Sequence, residues 1–537
     1  MVALEKLEAI RGAAALPELP PDEPTREISP ARVIFLLILL CGIGFGIWQL
    51  VTRSSAAAAE SPATPVYAPY VDVTLTPTYQ FQLPADDPVA SAYLGFIVSD
   101  PANPCEPSWG GYYTLGQADQ SLDLTARVAQ LRALGGDPMV SFGGRDNSEL
   151  AVGCTDTAAL EAAYLAVIDR YHTGVVDFDI EGSALADDTA AARRAQALAE
   201  VQSVLRSHHS ALHVWLTLPV TDRGLTPQGV VQVRTMLAAH VNLAGVNAMA
   251  MDFGAGEGAA ADMYATVQRA VYATHRQVQA LWQSAGVASS AGAAWGHLGV
   301  TVMLGVNDVP GERFTVGDAR KLKSLVNELG IARVSVWSLN RDSECGSAFA
   351  VTGTLSNNCS GVLQSPLQFT RILSALRGTR TARPAGSTAE TQTTVVDNPA
   401  TSPYPIWDSS SAYVSGYKVV WQGDIYQANW WSQGTAPNVA AADSTTGGPW
   451  LLIGPVPAGS VAYKPQLLAS AHQRPWSASV AYHAGQKVSF DGLPYVARWY
   501  SRGSQPIAQL PGNSSTPWQP LFEAPGEPAD TGTGSGN

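Results

Sequence analysis

The chain is 537 residues long and carries 45 acidic against 32 basic residues, a formal net charge of −13. That balance excludes nucleic acid as a main ligand and a polybasic grip on anionic lipid, since both need a basic face. At 46% hydrophobic and 14% charged residues the chain is too apolar to be mostly disordered, and its length suggests about three to four domains.

Residues 1–32 carry Lys6, Arg11, Arg26 and Arg32 and precede Val33–Val51, VIFLLILLCGIGFGIWQLV, which holds no charge. A run of that length suits a hydrocarbon core of ~30 Å and exceeds the roughly 7–15 apolar residues of a cleaved signal. Beyond it, Arg53 is the only Lys or Arg before Arg127. The positive-inside asymmetry then leaves 1–32 in the cytoplasm and exports the rest. The expectation is a single-pass anchor at 33–51 followed by an Ala, Ser, Pro and Thr rich stalk at 52–66. The alternative is a secreted form cleaved within Ser55–Ala59. Cys41 lies in the span, while Cys105, Cys154, Cys345 and Cys359 lie on the exported side and are disulfide candidates. Three pairings are open, and Cys105–Cys154 with Cys345–Cys359 closes the shortest loops. The absence of a Cys-x-x-Cys pair speaks against a zinc site of usual spacing, and no metal is expected.

From Tyr70 short apolar runs alternate with helical patterns. Strand candidates are Tyr70–Thr76, Ala92–Val98, Pro138–Phe142, Val175–Ile180, His213–Leu218, Ala244–Met249, Leu298–Leu304 and Arg333–Trp337. Helical patterns fall at Leu122–Leu134, Ala158–Tyr171, Ala190–His208, Met263–Ser284 and Val316–Leu329. Repeated βα units of this kind predict an α/β fold, a (β/α)8 TIM barrel over residues 67–378, with its chemistry at the carboxyl ends of the strands.

The fourth candidate reads Gly174-Val-Val-Asp177-Phe-Asp179-Ile-Glu181. Its carboxylates are two apart and share one side of the strand. Inside a barrel that side is the packed interior, where like charges are costly unless hydrogen bonds and split pKa values relieve them. An exposed edge strand with a wet acidic face is the plainer alternative.

The stretch resembles the Asp-x-x-Asp-x-Asp-x-Glu signature of glycoside hydrolase family 18, the chitinase family. Asp177, Asp179 and Glu181 match its last three acids, and Gly174 stands where the first Asp is expected. Ser141-Phe142-Gly143-Gly144 looks like the family's Ser-x-Gly-Gly after the third strand. Met249-Ala250-Met251-Asp252 resembles its Met-x-Tyr-Asp after the sixth, with Met251 in place of the Tyr. Trp337 ends the eighth strand, where the family places a pocket-floor Trp. The resemblance implies hydrolysis assisted by the substrate's own 2-acetamido group, with Glu181 as acid, Asp179 orienting the acetamido group and Asp177 tuning the pair. It implies no organic cofactor. Ser141, Gly143, Gly144, Met249, Met251, Asp252, Trp337 and Trp109 are the expected substrate-binding residues.

Residues 379–402 are Thr, Ala, Pro and Ser rich and read as a flexible linker. Beyond them residues 407–437 and 476–506 match at a constant offset. Trp407 pairs with Trp476, Tyr413 with Tyr482, Lys418 with Lys487, Tyr426 with Tyr495, and Trp430-Trp431 with Trp499-Tyr500; Trp450 and Trp518 close the units. Two small all-β modules are expected, at 403–454 and 470–523, with a connector at 455–469 and a disordered tail at 524–537. They resemble carbohydrate-binding modules of families 5 and 12, which implies chitin or cellulose binding through Trp430, Trp431, Trp499 and Tyr500. Trp407, Tyr426, Trp450 and their repeats are read as mini-core.

The resemblances together imply a monomeric, endo-acting chitinase with chitin or its oligosaccharides as partner, and the uncharged run at 33–51 leads to the expectation that it is anchored in the cell membrane or, if cleaved, secreted. Rival readings are a non-catalytic chitin-binding lectin on the same barrel and an endo-β-N-acetylglucosaminidase acting on other acetamido glycans.

Overall fold

The computed structural model describes residues 65–522 apart from 84–90, 255–261, 288–289, 347–354, 377–394, 438–447, 466, 469–471, 491 and 507–515. The expected membrane span at 33–51 and the tail at 524–537 lie outside the described residues. Among the described residues, no helix is long and apolar enough to cross a membrane.

The barrel strands are β1 (Val66–Tyr67), β2 (Tyr70–Asp72), β3 (Ser91–Ser99), β4 (Asp137–Gly143), β5 (Val175–Asp179), β6 (His213–Thr221), β7 (Leu243–Met249), β8 (Leu298–Met303) and β9 (Arg333–Trp337). From β3 to β9 each pairs in parallel with the next. Closure falls to the first strand, which is split. β1 pairs with β9, and β2 pairs with β3. The sequence predicts a first strand over Tyr70–Thr76; the observed one stops at Asp72 and is preceded by β1, which the sequence reading did not include. The break lies at Ala68-Pro69, where proline has no N–H to give to a ladder, although its carbonyl still accepts the Tyr93 N–H at 2.9 Å.

Most of the helices start on side-chain caps. Thr114 and Gln117 form a capping box ahead of α1 (Leu115–Leu122). Next come α2 (Leu124–Ala133), α3 (Thr157–Tyr171), α4 (Asp188–Ser207), α5 (Pro227–Ala238), α6 (Met263–Ser284) and α7 (Val316–Leu329). The helix predicted over Leu122–Leu134 is α2, which starts two residues later, after Asp123, a left-handed residue with φ 51° that separates it from α1. Helix α5, which the apolar period did not announce, starts on a Thr226 cap with Pro227 at its first position.

Strand β5 lies between β4 and β6, so it is no exposed edge. Its outward residues Val176 and Phe178, with Ile180 just beyond, are fully buried under the helices. Phe178 stacks on Phe142 at 5.0 Å, and Tyr164 of α3 meets both rings edge-on. Burial of such side chains stabilises the wall by about 1.5–3 kcal/mol each.

The inward face is polar. Near the amino ends of the strands, Arg333 of β9 lies over the rings of Tyr93 and Trp215 at 5.1 and 4.5 Å. One layer higher, Tyr70, Ser141, Asp177, Thr217, Asn247 and Thr301 come from six different strands and are all buried. A disulfide joins Cys105 to Cys154, and a second joins Cys345 to Cys359.

Two small β units follow the barrel. The first contains β10 (Lys418–Trp421), β11 (Asp424–Ala428) and β12 (Trp450–Pro455), and the second β13 (Lys487–Phe490), β14 (Leu493–Ala497) and β15 (Trp518–Pro520). The repeat persists down to single hydrogen bonds. Trp450 Nε1 donates to the Thr435 carbonyl and Trp518 Nε1 to that of Ser504, both at 2.8 Å. Tyr413, Tyr426 and Trp450 form one mini-core, with Trp407 packed against it, and Tyr482, Tyr495 and Trp518 form the other.

The described end of the predicted linker belongs to the first unit. Asp397 accepts the N–H groups of Gln422 and Gly423, each at 2.7 Å. Nor is this unit suspended from the barrel, since β12 packs on α2.

Candidate active site

The carboxyl ends of the strands open into a cavity of about 720 Å³. Asp179 and Glu181 line it together with Gly143, Met249, Met251, Asp252 and Trp337.

The two glycines explain how the acids are presented. Gly143 faces Asp179 in the β4–β5 register, and the Gly144 N–H donates to the Asp179 carbonyl at 2.9 Å. A Cβ on Gly143 would lie 2.1 Å from that carbonyl oxygen, and one on Gly144 would lie 2.8 Å from the Phe96 ring. Both residues have positive φ, which glycine adopts without a Cβ penalty.

The three acids have three environments. Asp177 is fully buried and accepts hydroxyl hydrogen bonds from Ser141 at 2.6 Å, Thr217 at 2.6 Å and Tyr70 at 2.8 Å. Asn247 steadies Thr217 through a 3.0 Å bond and Thr301 through one of 2.6 Å. Burial raises the Asp177 pKa, and the three hydroxyls oppose the rise. Asp179 is buried with no protein partner for its Oδ1. Burial, then the charges of Glu181 and Asp177, push its pKa well above the usual carboxylate range. Glu181 is half-buried, and its pKa is pushed up to about 7 by desolvation, with the nearby Arg145 cation opposing and Asp252, Asp146 and Asp308 reinforcing.

Asp252 is left-handed at φ 51° and accepts the Val309 N–H at 3.1 Å. Trp337 stacks on Phe96 at 5.4 Å, building an aromatic wall. The hydroxyl-bearing rings that line the cavity are Tyr70, Tyr112 and Tyr113.

Three expected substrate-binding residues stand elsewhere. Trp109 is fully buried outside the cavity lining and donates from Nε1 to the Tyr171 hydroxyl at 2.9 Å. It is a core residue, because its short strand turns that ring toward α3. Ser141 acts behind the site, through Asp177. Gly144 is a backbone spacer rather than a lining residue. Among the described residues, no group of three or more His, Cys, Asp or Glu is placed to hold a metal ion.

The sequence reading missed Arg145 and Asp308, which form an ion pair at the cavity edge. Arg145 had a signal, since it follows Gly144 directly. Asp308 had none, because it sits on a turn after β8.

No family model matches the chain. Over 284 residues it is 34% identical to the probable bifunctional chitinase/lysozyme of Escherichia coli, an alignment covering 52% of this chain and 31% of that one. Over 285 residues it is 33% identical to endochitinase 11 of Metarhizium anisopliae, covering 52% of each. The chain thus spans about half the length of these curated relatives or less. Among solved structures, the catalytic domain of a hyperthermophilic chitinase from Pyrococcus furiosus is similar at 25% identity and a TM-score of 0.48, covering 58% of this chain and 96% of that one.

Proposed function

We propose that the protein is a chitinase that hydrolyses β-1,4 bonds between N-acetylglucosamine units with retention. The observation that carries this reading is the graded set of acids on β5 and just past its end. Asp177 is saturated by hydroxyl donors, Asp179 keeps a buried oxygen free for a ligand, and Glu181 lies at the cavity with a raised pKa.

The chemistry follows from those environments. The substrate's acetamido oxygen attacks its own anomeric carbon, and an acid must protonate the leaving oxygen in that step. Glu181 holds a proton near neutral pH and supplies it. Asp179, in its ionised form, accepts the acetamido N–H and offsets the positive charge of the cyclic intermediate. Asp177, held by Tyr70, Ser141 and Thr217, fixes the electrostatics behind Asp179. Water then opens the intermediate, with Glu181 as base. Products released from colloidal chitin by the full chain, separated by mass and anomer, test the reading. Initial products of inverted configuration, or none, would overturn it.

The pH dependence has a definite sign. A carboxyl pushed up to about 7 stays protonated below that pH, so kcat falls as pH rises through it. Arg145→Gln removes the cation that opposes the shift. The alkaline limb of kcat against pH on a soluble oligosaccharide should therefore move to higher pH. A limb that stayed put or moved down would show that Arg145 does not act on Glu181.

The β units are assigned to polysaccharide binding. Trp430 and Trp431 are 47% and 59% exposed, and Trp499 and Tyr500 are 44% and 59% exposed, so all four rings face water. Flat rigid rings suit the apolar faces of sugars. Replacing all four by Ala should lower retention on insoluble chitin by ~10²-fold or more, since linked sites act multiplicatively, and leave cleavage of soluble oligosaccharides intact. Unchanged retention would give the repeats another ligand.

For location, the uncharged run at 33–51 with its one-sided Lys and Arg supports a single-pass anchor with the barrel outside the cell. Amino-terminal sequencing of the membrane-bound and soluble fractions distinguishes this from cleavage and secretion.

A further inference from the structure

We infer that the first β unit is a fixed part of the barrel body, and that the second repeat is built without this attachment. The inference concerns the two repeats as bodies and does not rest on the reaction proposed for the barrel.

The attachment is centred on Asp123. An aspartate at the start of a helix ordinarily caps it, yet Asp123 makes no side-chain cap bond to α2. Both of its oxygens go to the β unit instead. Oδ1 accepts from the Tyr404 hydroxyl at 2.5 Å, and Oδ2 pairs with Lys418 Nζ. All three side chains are buried, with exposures of 5%, 7% and 5% for Asp123, Tyr404 and Lys418. The Lys418 ammonium also lies 5.4 Å from the Tyr404 ring centroid.

Apolar contacts surround this pair. Ala126 of α2 is buried with Tyr404, Val420, Ile425 and Ile453 of the β unit. The two backbones also come close. A Cβ on Gly454 would lie 2.2 Å from the Ala126 carbonyl oxygen and 3.1 Å from Gln130 Cβ. Removing one partner of such a pair while the bodies stay together leaves the other charge buried and unpaired, which is costly.

The second repeat is an internal control. At the positions matching Tyr404, Val420 and Ile425 it has Gln473, Ser489 and Pro494. Lys418 is matched by Lys487, but Lys487 is exposed. Where Gly454 admits the Ala126 carbonyl, the repeat carries Phe522, which packs against its own Tyr495 with ring centroids 5.5 Å apart. The residues that form the mini-core and carry the exposed rings are shared between the repeats, and those that hold the barrel, Lys418 apart, are not. One scaffold therefore serves two purposes, an immobile extension of the barrel and a second binding body.

The attachment lies close to the cavity in sequence. Tyr112 and Tyr113 line it, and α1 leads from them directly to Asp123.

Hydrogen–deuterium exchange on the full chain tests the inference, each variant being read across the contact. Lys418→Met should speed exchange of α2 amides from Ala126 to Leu131 at least tenfold. Asp123→Asn, which keeps a residue tolerant of the left-handed backbone, should do the same for Leu451–Gly454. Protection of Tyr426 should persist in both, showing that the β unit itself remains folded. The double variant should recover part of the loss. Lys487→Met should leave α2 unchanged. The inference fails if the two single variants do not alter exchange across the contact, or if Lys487→Met alters α2 as much as Lys418→Met does.

Discussion

Glu181→Gln is expected to lower kcat by ~10²–10⁴-fold while leaving affinity for a chitin oligosaccharide nearly unchanged, the range that positioned acid catalysis typically contributes. The amide keeps the shape of the acid and its place beside Asp252 and Arg145, but it has no proton of suitable acidity for the leaving oxygen. The raised pKa makes the loss specific, since the wild-type group keeps its proton up to a pH of about 7. Single-turnover rates and calorimetric affinity on the same oligosaccharide separate the two effects. A variant keeping more than about a tenth of the rate would place the acid on another residue.

Gly143→Ala is expected to be nearly as damaging without removing any reactive group. Its Cβ would meet the Asp179 carbonyl oxygen, and its φ of 95° is one that L side chains rarely adopt. Strain of about 1–3 kcal/mol would be relieved by moving the end of β4 away from β5. A shift of ~1 Å at catalytic groups costs about 10²-fold in rate. Gly174→Ala is the matched control, because its φ is not positive and the nearest heavy atom to its Cβ is 4.0 Å away. The expected result is a ~10²-fold fall in kcat for the first and near wild-type rate and melting temperature for the second. Equal behaviour would mean that the β4–β5 contact does not position Asp179.

Much of this was legible in the sequence because two periods repeat along the chain. Alternation of two placed Asp177, Asp179 and Glu181 on one side, and Ser141–Gly144 stood out through its likeness to a family motif, while the need for glycine there shows only in the contacts of Gly143 and Gly144. The offset between the repeats located both mini-cores from their aromatics alone. What remained hidden depended on contacts distant in sequence. Trp109 looked like a cleft aromatic, and only the placement of Tyr171 on α3 shows that it belongs to the core. The pairing of Arg145 with Asp308 joins loops 163 residues apart. Asp123 sat inside an apparently continuous helical pattern, and its left-handed turn becomes intelligible once Lys418 and Tyr404 are beside it.

The seat of the first β unit on α2 also bears on how the protein would land on an insoluble polymer. A body swinging on a tether must give up rotational freedom when its binding face and the cleft engage the same surface, and that loss weakens association. A docked body has lost that freedom already, during folding, through the Asp123–Lys418 pair and the Ala126 contact. The angle between the Trp430–Trp431 rings and the cavity would then be a constant of the molecule, so a crystal face could be recognised by its tilt as well as by its chemistry.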